Sequence, residues 1–260
     1  MNGSALITGA ATRIGKEMAL GLAAQGVDVV VHYMNSRKEA EQVVHEANSF
    51  GVRAECIKAD LLDDAEVKGL IARASSLLGN PLNILVNNAS IFEYDNIKTA
   101  SIASWDRHIG SNLKAPLFLM QEFSKQVADG DKDLNGENMP QGNIVNIVDQ
   151  RVLKKTPEFF TYSLAKMGLW SLTQTAAQAL APNIRVNAIG PGPTLKGHRQ
   201  DEGHFKTQRE NTVLKRGSAP EEILEALKFI LNTPSLTGQL ICIDGGQHLT
   251  WKTADILGLE

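Results

Sequence analysis

Short apolar runs alternate with amphipathic stretches along almost all of the 260 residues. Ser4 to Thr8 (SALIT) reads as a strand, and Ile14 to Gln25 carries Ile14, Met18 and Leu22 on one face of a helix that Gly26 ends. Val27 to Tyr33, Val52 to Lys58 and Asn83 to Asn87 predict the next three strands. Between them, Ser36-Arg37-Lys38-Glu39 and Asp63-Asp64-Ala65-Glu66 have the spacing of capping boxes, and Gly51 and Gly79 stand just past the helix ends. One long helix is expected from about Ser104 to Ala128, a fifth strand over Asn143 to Val148, a helix over Phe160 to Ala181 and a sixth strand over Ile184 to Ile189. Ser218-Ala219-Pro220-Glu221 puts proline where a helix start tolerates it, and Gln239 to Ile243 closes the series.

Continuous Val/Ile/Leu strands separated by amphipathic helices imply a parallel sheet covered on both faces. The expected fold is therefore α/β: one Rossmann-type, doubly wound domain over residues 1–260, with about seven strands. Asp129 to Gln141 is polar and reads as a surface loop. Pro191 to Gly217 has little apolar periodicity and reads as a second, longer loop; a loop of that length in a compact domain is usually functional.

Composition narrows the classes. A net charge of -3 and a pI near 6.1 argue against a nucleic-acid or membrane-surface binder. The longest apolar runs fall short of the roughly 20 residues that span a bilayer. The start, Met1-Asn2-Gly3, has neither a basic region nor a cleavable segment, which argues against secretion. Cys56 and Cys242 lie inside strand-like runs and read as buried thiols in a reducing, cytoplasmic setting. Nothing in the spacing calls for a metal.

The chemistry begins at the first strand end, Thr8-Gly9-Ala10-Ala11-Thr12-Arg13-Ile14-Gly15. Glycines between a strand and a helix let the backbone approach a pyrophosphate held at the helix N-terminus. Arg13 occupies the middle glycine position of that motif. At the end of the second strand an NAD-binding site of this kind offers a carboxylate to the ribose, but this chain reads His32-Tyr33-Met34-Asn35-Ser36-Arg37. Arg13, Ser36 and Arg37 could supply charge and donors to a 2′-phosphate, which points to NADP(H). Further on, Tyr162 and Lys166 stand one helical turn apart, so both project from one face. An ammonium beside a phenol is expected to lower its pKa from about 10 and make it a usable acid or base.

In order along the chain, TGAATRIG, Asp60-Leu61, Asn87-Asn88-Ala89, Asn112, Tyr162-Ser-Leu-Ala-Lys166, Pro191-Gly192 and Ile243-Asp-Gly-Gly246 resemble the short-chain dehydrogenase/reductase family over nearly the whole length. The resemblance implies a homotetramer acting on a small molecule. It places cofactor contacts on Gly9, Arg13, Ile14 and Gly15, on His32, Tyr33, Asn35 and Ser36, and on Asp60 and Leu61. Further contacts are implied at Asn88, Ala89 and Ser90, at Tyr162 and Lys166, and at Pro191 and Gly192, with the variable substrate wall at about 193–217. Asn112 would hold a water joining Lys166 to solvent. Within the family, Arg13, the His32-Tyr33 strand end, Asn88-Ala89-Ser90-Ile91-Phe92 and Asp149 are similar to the pteridine reductases and dihydromonapterin reductases. That likeness implies a pterin lying between the nicotinamide and Phe92, with Arg13, Ser90, Asp149 and Tyr162 contacting it.

Asp149 stands where the family carries a serine that hydrogen-bonds a carbonyl oxygen. A carboxylate repels a developing alkoxide, so it opposes ketone reduction. A pterin C=N bond instead takes hydride at carbon and a proton at nitrogen, which a carboxylate beside Tyr162 could relay or assist. The alternatives are a carbonyl reductase of the 3-oxoacyl-carrier-protein type, with Asp149 a tolerated change, and a catalytically idle NADP-binding protein. A plain strand-end cap is the bland reading of Asp149, as a buried loop aromatic is of Phe92.

Overall fold

The computed structural model describes residues 3–197 and 200–251. Met1, Asn2, His198, Arg199 and residues 252–260, which the single-domain expectation includes, lie outside the described residues. Seven strands form one parallel sheet: β1 (Gly3–Ile7), β2 (Val27–Tyr33), β3 (Ala54–Lys58), β4 (Ile84–Asn87), β5 (Gly142–Ile147), β6 (Ile184–Pro191) and β7 (Leu240–Ile243). Their spatial order is β3-β2-β1-β4-β5-β6-β7, with every pairing parallel. The strands are apolar on both sides because both sides are covered. Ile7, Val29 and Val31 pack with Met18, Leu22 and Leu227 on one face, while Leu6, Val30 and Leu85 pack with Leu70, Leu119 and Phe123 on the other.

The helices are α1 (Arg13–Ala23), α2 (Arg37–Asn48), α3 (Asp64–Leu78), α4 (Ile102–Ile109), α5 (Ala115–Ser124), α6 (Phe160–Ala179), α7 (Glu202–Glu210) and α8 (Pro220–Asn232). After β1 the chain winds outward to β2 and β3, then returns to the other side of β1 with β4. The sheet therefore has its topological switch between β1 and β4, the place where parallel sheets form a ligand crevice at the strand C-termini.

The structure corrects the expected elements at several points. The long helix expected from Ser104 to Ala128 is broken: α4 and α5 are joined by a π-helical turn, Gly110–Lys114, and α5 stops at Ser124. Pro116 has no N–H to offer the Asn112 carbonyl, so a regular α-helical ladder cannot run through. The long loop after Pro191 contains α7, capped by Asp201, whose side chain accepts the His204 N–H at 2.7 Å. Ser36 makes no side-chain cap at α2. At α3, Asp63 caps Ala65 and Glu66, but the Glu66 carboxylate turns to the Asp60 N–H at 2.8 Å instead of closing the box. Gly79 ends α3 in the left-handed conformation, φ +72°, as its position predicts. Cys56 and Cys242 are free thiols but only partly buried.

One buried histidine ties the switch region together. His32, at the end of β2, accepts the Gly9 N–H on Nδ1 at 3.0 Å. The ring proton must then sit on Nε2, which donates to the Ala59 carbonyl at 3.1 Å. Burial lowers the His32 pKa to about 4, so the ring is neutral at physiological pH. The folded pKa lies below the unfolded value of about 6.5, so its stabilisation is complete above that pH and is lost as pH falls from there toward 4. His32→Asn keeps an acceptor near the Nδ1 position and does not titrate. Between pH 7 and pH 4 the parent should lose up to about 3 kcal/mol more unfolding free energy than the variant, measured by urea denaturation. Parallel loss in the two proteins would mean that burial does not depress the His32 pKa.

Candidate active site

The turn after β1 is stitched to the end of β4. Thr8 Oγ1 accepts the N–H groups of Asn88 and Ala89, both at 2.9 Å, and the Asn88 amide donates to the carbonyls of Thr8 at 2.8 Å and Gly9 at 3.1 Å. Gly9 has φ +63°, and a Cβ on Gly15 would stand 2.3 Å from the Gly9 carbonyl oxygen. Neither position admits a larger residue without movement. Together they leave the N-terminus of α1 open to a close-lying ligand.

Arg13 is the first residue of α1. It adopts a left-handed backbone, φ +57°, and its guanidinium donates to the carbonyls of Leu195 at 3.1 Å and Lys196 at 2.9 Å. It therefore joins the cofactor turn to the start of the substrate loop. Arg37 is paired with Glu41 at 2.7 Å across one turn of α2. Ser36 is left without a capping bond at the end of β2, beside the buried Tyr33 and with the Asn35 carbonyl accepting the Arg37 N–H at 3.1 Å. Asp60 Oδ1 accepts the Leu62 N–H at 2.9 Å, which orients the Asp60-Leu61 corner after β3. At β6, Gly192 bonds to the Ile243 carbonyl, and a Cβ there would lie 2.6 Å from Asp244 Cα.

The catalytic candidates meet beyond β5. Tyr162 and Lys166 lie on α6, both buried. Asp149 caps a short 3-10 turn, Gln150–Val152, its Oδ1 accepting the Arg151 N–H at 2.8 Å. Oδ2 accepts the phenol proton of Tyr162 at 3.0 Å and one guanidinium N–H of Arg151 at 3.1 Å. Asp149 is thus both a strand-end cap and a partner of Tyr162. Ser90 also lies within hydrogen-bonding reach of the phenol.

The expectation of an acidified tyrosine is corrected. The Lys166 ammonium donates to the Ile147 carbonyl at 2.7 Å, and its Nζ lies 5.9 Å from the Tyr162 ring centre. Burial, followed by the charge of Asp149, raises the Tyr162 pKa well above 10, so the group is a firmly protonated phenol. Burial lowers Lys166 to about 8, against the pull of Asp149, which leaves it mainly an ammonium at neutral pH. Asn112 lies in the π-helical turn between α4 and α5. Its fully buried amide accepts the Ile91 N–H at 2.9 Å and donates to the Ile91 carbonyl at 2.8 Å, anchoring the segment that carries Ser90 and Phe92.

Phe92 is stacked on Phe159, with ring centres 4.4 Å apart and planes within 10°, and meets Tyr162 edge-on at 4.7 Å. Arg151 lies over both phenylalanines, 5.6 and 5.1 Å from their centres. Sequence reasoning missed Arg151 and Phe159. It also missed a buried cluster beneath them, in which His108 Nε2 accepts the Glu93 N–H at 3.1 Å and Nδ1 donates to Thr161 Oγ1 at 2.7 Å. The Thr161 hydroxyl donates to Asp95, which also accepts the Thr161 N–H and the Ser104 hydroxyl, each at 3.0 Å. Burial pushes the Asp95 carboxyl up, but the hydrogen bonds from Thr161 and Ser104 outweigh it and hold the pKa below the usual range. A charge two residues after Asp149 was the one readable signal; Phe159 and Asp95 had none. Among the described residues, no group of three or more His, Cys, Asp or Glu could hold a metal, and no helix is long and apolar enough to cross a membrane.

A parallel-sheet switch with a tight glycine turn at the start of α1, and Tyr162 and Lys166 on one face of α6, defines a Rossmann-type oxidoreductase site. The family model for short chain dehydrogenases matches residues 4–206, and the chain belongs to that family, the short-chain dehydrogenases/reductases. Two solved structures are similar over 98% of this chain and 98% of theirs. FolM alternative dihydrofolate reductase 1 from Brucella suis, in complex with NADP, shares 42% identity with a TM-score of 0.90. Its counterpart from Brucella canis, also complexed with NADP, shares 41% with a TM-score of 0.89. The 3-oxoacyl-[acyl-carrier-protein] reductase FabG of Staphylococcus epidermidis is 32% identical over 256 residues, 96% of this chain and 100% of that protein.

Removing the Asp95 carboxylate would leave the buried Thr161 hydroxyl and N–H without their acceptor. Asp95→Ala should therefore lower the unfolding free energy by about 2–4 kcal/mol, read by chemical denaturation. A loss below about 0.5 kcal/mol, the scatter of ordinary surface changes, would mean that the cluster does not hold the start of α6.

Proposed function

We propose that this chain is an NADPH-dependent reductase of dihydropterin-type C=N bonds. The carrying observation is the 3.0 Å hydrogen bond from the Tyr162 hydroxyl to Asp149, at the position where the family pattern has a serine. In ketone reduction negative charge develops on oxygen. Two unit charges 4 Å apart repel by about 4 kcal/mol at the effective dielectric of a protein site, nearly a thousandfold in rate. Reduction of a C=N bond has no such oxyanion. The nitrogen beside the reduced carbon becomes a strong base, and a weakly acidic phenol is then an adequate donor. The firmly protonated Tyr162 suits that step.

The cofactor assignment rests on the cradle. Gly9 and Gly15 keep the turn tight, and Ile14 and Gly15 leave backbone N–H groups in the first turn of α1 for a pyrophosphate. The end of β2 lacks an acid and carries Ser36 and Arg37, which suit a 2′-phosphate, with Arg13 reaching it once released from the loop carbonyls. Asp60-Leu61, Asn88-Ala89 and Pro191-Gly192 would line the rest, and Lys166 would hold the nicotinamide ribose. When bound, the nicotinamide supplies the hydride. The NADP complexes of the FolM proteins, at 42% and 41% identity, support this cofactor and a folate- or pterin-type substrate. For the ring itself, Phe92 and Phe159 offer flat apolar surface, and Ser90 and Asp149 offer polar contacts beside Tyr162. A ketone reductase of the 3-oxoacyl type has the support of the FabG relatives at 32% identity, but none from Asp149.

Asp149→Ser separates these readings. It should lower dihydropterin reduction by roughly 10²–10⁴-fold and leave or raise any activity on simple ketones, because a hydroxyl can hydrogen-bond an alkoxide that the carboxylate repels. Steady-state rates on both substrate types measure this. A serine variant as fast as the parent on dihydropterins across the pH range would remove Asp149 from the proton path.

A further inference from the structure

An aspartate in place of serine adds a negative charge beside the group that must release a proton. When the Tyr162 O–H bond breaks and an N–H bond forms on the substrate, a phenolate is left at hydrogen-bonding distance from a carboxylate. Two anions so close in a buried site strongly disfavour the step unless each has its own counter-charge. In the usual family arrangement one lysine balances one phenolate. Here Lys166 can balance one of the two anions, and a second cation is needed.

Arg151 meets that need. One of its guanidinium nitrogens lies 3.1 Å from Asp149 Oδ2, the same oxygen that accepts the hydrogen bond of the Tyr162 hydroxyl at 3.0 Å. Its backbone N–H occupies Oδ1, so a single residue grips both carboxylate oxygens. The pair is largely withdrawn from water, with side chains 17% and 15% exposed, so bulk solvent screens the charges only weakly. The guanidinium is also held in place from the side by the stacked rings of Phe92 and Phe159. Phe159 keeps a left-handed backbone, φ +54°, unusual for an aromatic residue, and this places its ring under the guanidinium.

We infer that Arg151 is the counter-charge that makes Asp149 compatible with proton donation by Tyr162, so that the aspartate and the arginine work as one unit. Arg151 is a positioning residue in this account, acting on Tyr162 through Asp149. The inference rests on the reading of Tyr162 as the proton donor, and it has a specific consequence. Arg151 should matter only while the carboxylate is present.

A double-mutant cycle tests this on the full-length enzyme with saturating NADPH and 7,8-dihydrobiopterin, kcat and KM being measured separately. Arg151→Gln removes the charge with little loss of bulk and should lower kcat by about 10–100-fold in the parent, in the range of a lost proton-transfer contribution. In the Asp149→Ser background the same change should cost less than about threefold. Arg151→Lys, which keeps the charge, should recover most of the rate. Equal losses in the two backgrounds would overturn the inference, since Arg151 would then act independently of Asp149. A rise in KM with kcat unchanged would also overturn it and make Arg151 a substrate contact. Failure of the parent to reduce dihydrobiopterin would count against the pterin reading alone. The cycle is then run on a 3-oxoacyl thioester and judged by the same coupling.

Discussion

Three protein donors converge on the carboxylate of Asp149: the Tyr162 phenol, the Arg151 guanidinium and the Arg151 backbone N–H. Around that convergence the site is built as a set of obligations. The phenol is kept protonated by burial and by the neighbouring anion. The lysine is buried and held by the Ile147 carbonyl. The two phenylalanines, stacked on each other, also support the arginine that grips the carboxylate. Beneath them, the Asp95, Thr161 and His108 cluster fixes the start of α6, and Asn112 fixes the segment leading to Phe92. The sheet supplies the frame, with Thr8, Asn88 and His32 tying the ends of β1, β2 and β4 into one edge.

Much of this frame was legible in the chain. Strands buried on both faces must be continuously apolar, and amphipathic helices between them leave few topologies open. The failures have physical causes. The polar helix α7 buries none of its residues, so no apolar stripe announces it. The break at Gly110–Lys114 depends on Pro116 and on the tertiary pairing of Asn112 with Ile91, and neither interrupts the hydrophobic period. In the site, ordered landmarks located Tyr162, Lys166, Asn88 and Gly9. The acidity of Tyr162 was misjudged because spacing on a helix shows that two side chains share a face, not where each one's hydrogen bonds go. Lys166 spends its nearest contact on a carbonyl, and Asp149 works against ionisation of the phenol. Phe159 was unreadable for a similar reason, since its position depends on a left-handed backbone that an aromatic residue rarely adopts.

The similarities divide along the line the site draws. Family membership accounts for the sheet, the glycine turn and the tyrosine–lysine pair, which serve many reductions. Substrate class must come from the groups that differ, and here these are Asp149, Arg151 and the aromatic pair. The 42% identity with a NADP-bound FolM dihydrofolate reductase and the 32% identity with a FabG 3-oxoacyl reductase span the two chemistries that this chemical distinction separates.

The most direct test is competition between those chemistries on the unmodified protein. With NADPH in excess, kcat/KM is measured for a 7,8-dihydropterin and for a 3-oxoacyl thioester under one set of conditions. A ratio of at least about ten in favour of the dihydropterin is the predicted result, since the Asp149 carboxylate, even paired with Arg151, offers a carbonyl oxygen no hydrogen bond. A ratio near or below one would contradict the account, because the carboxylate would then stand beside a developing alkoxide without penalty.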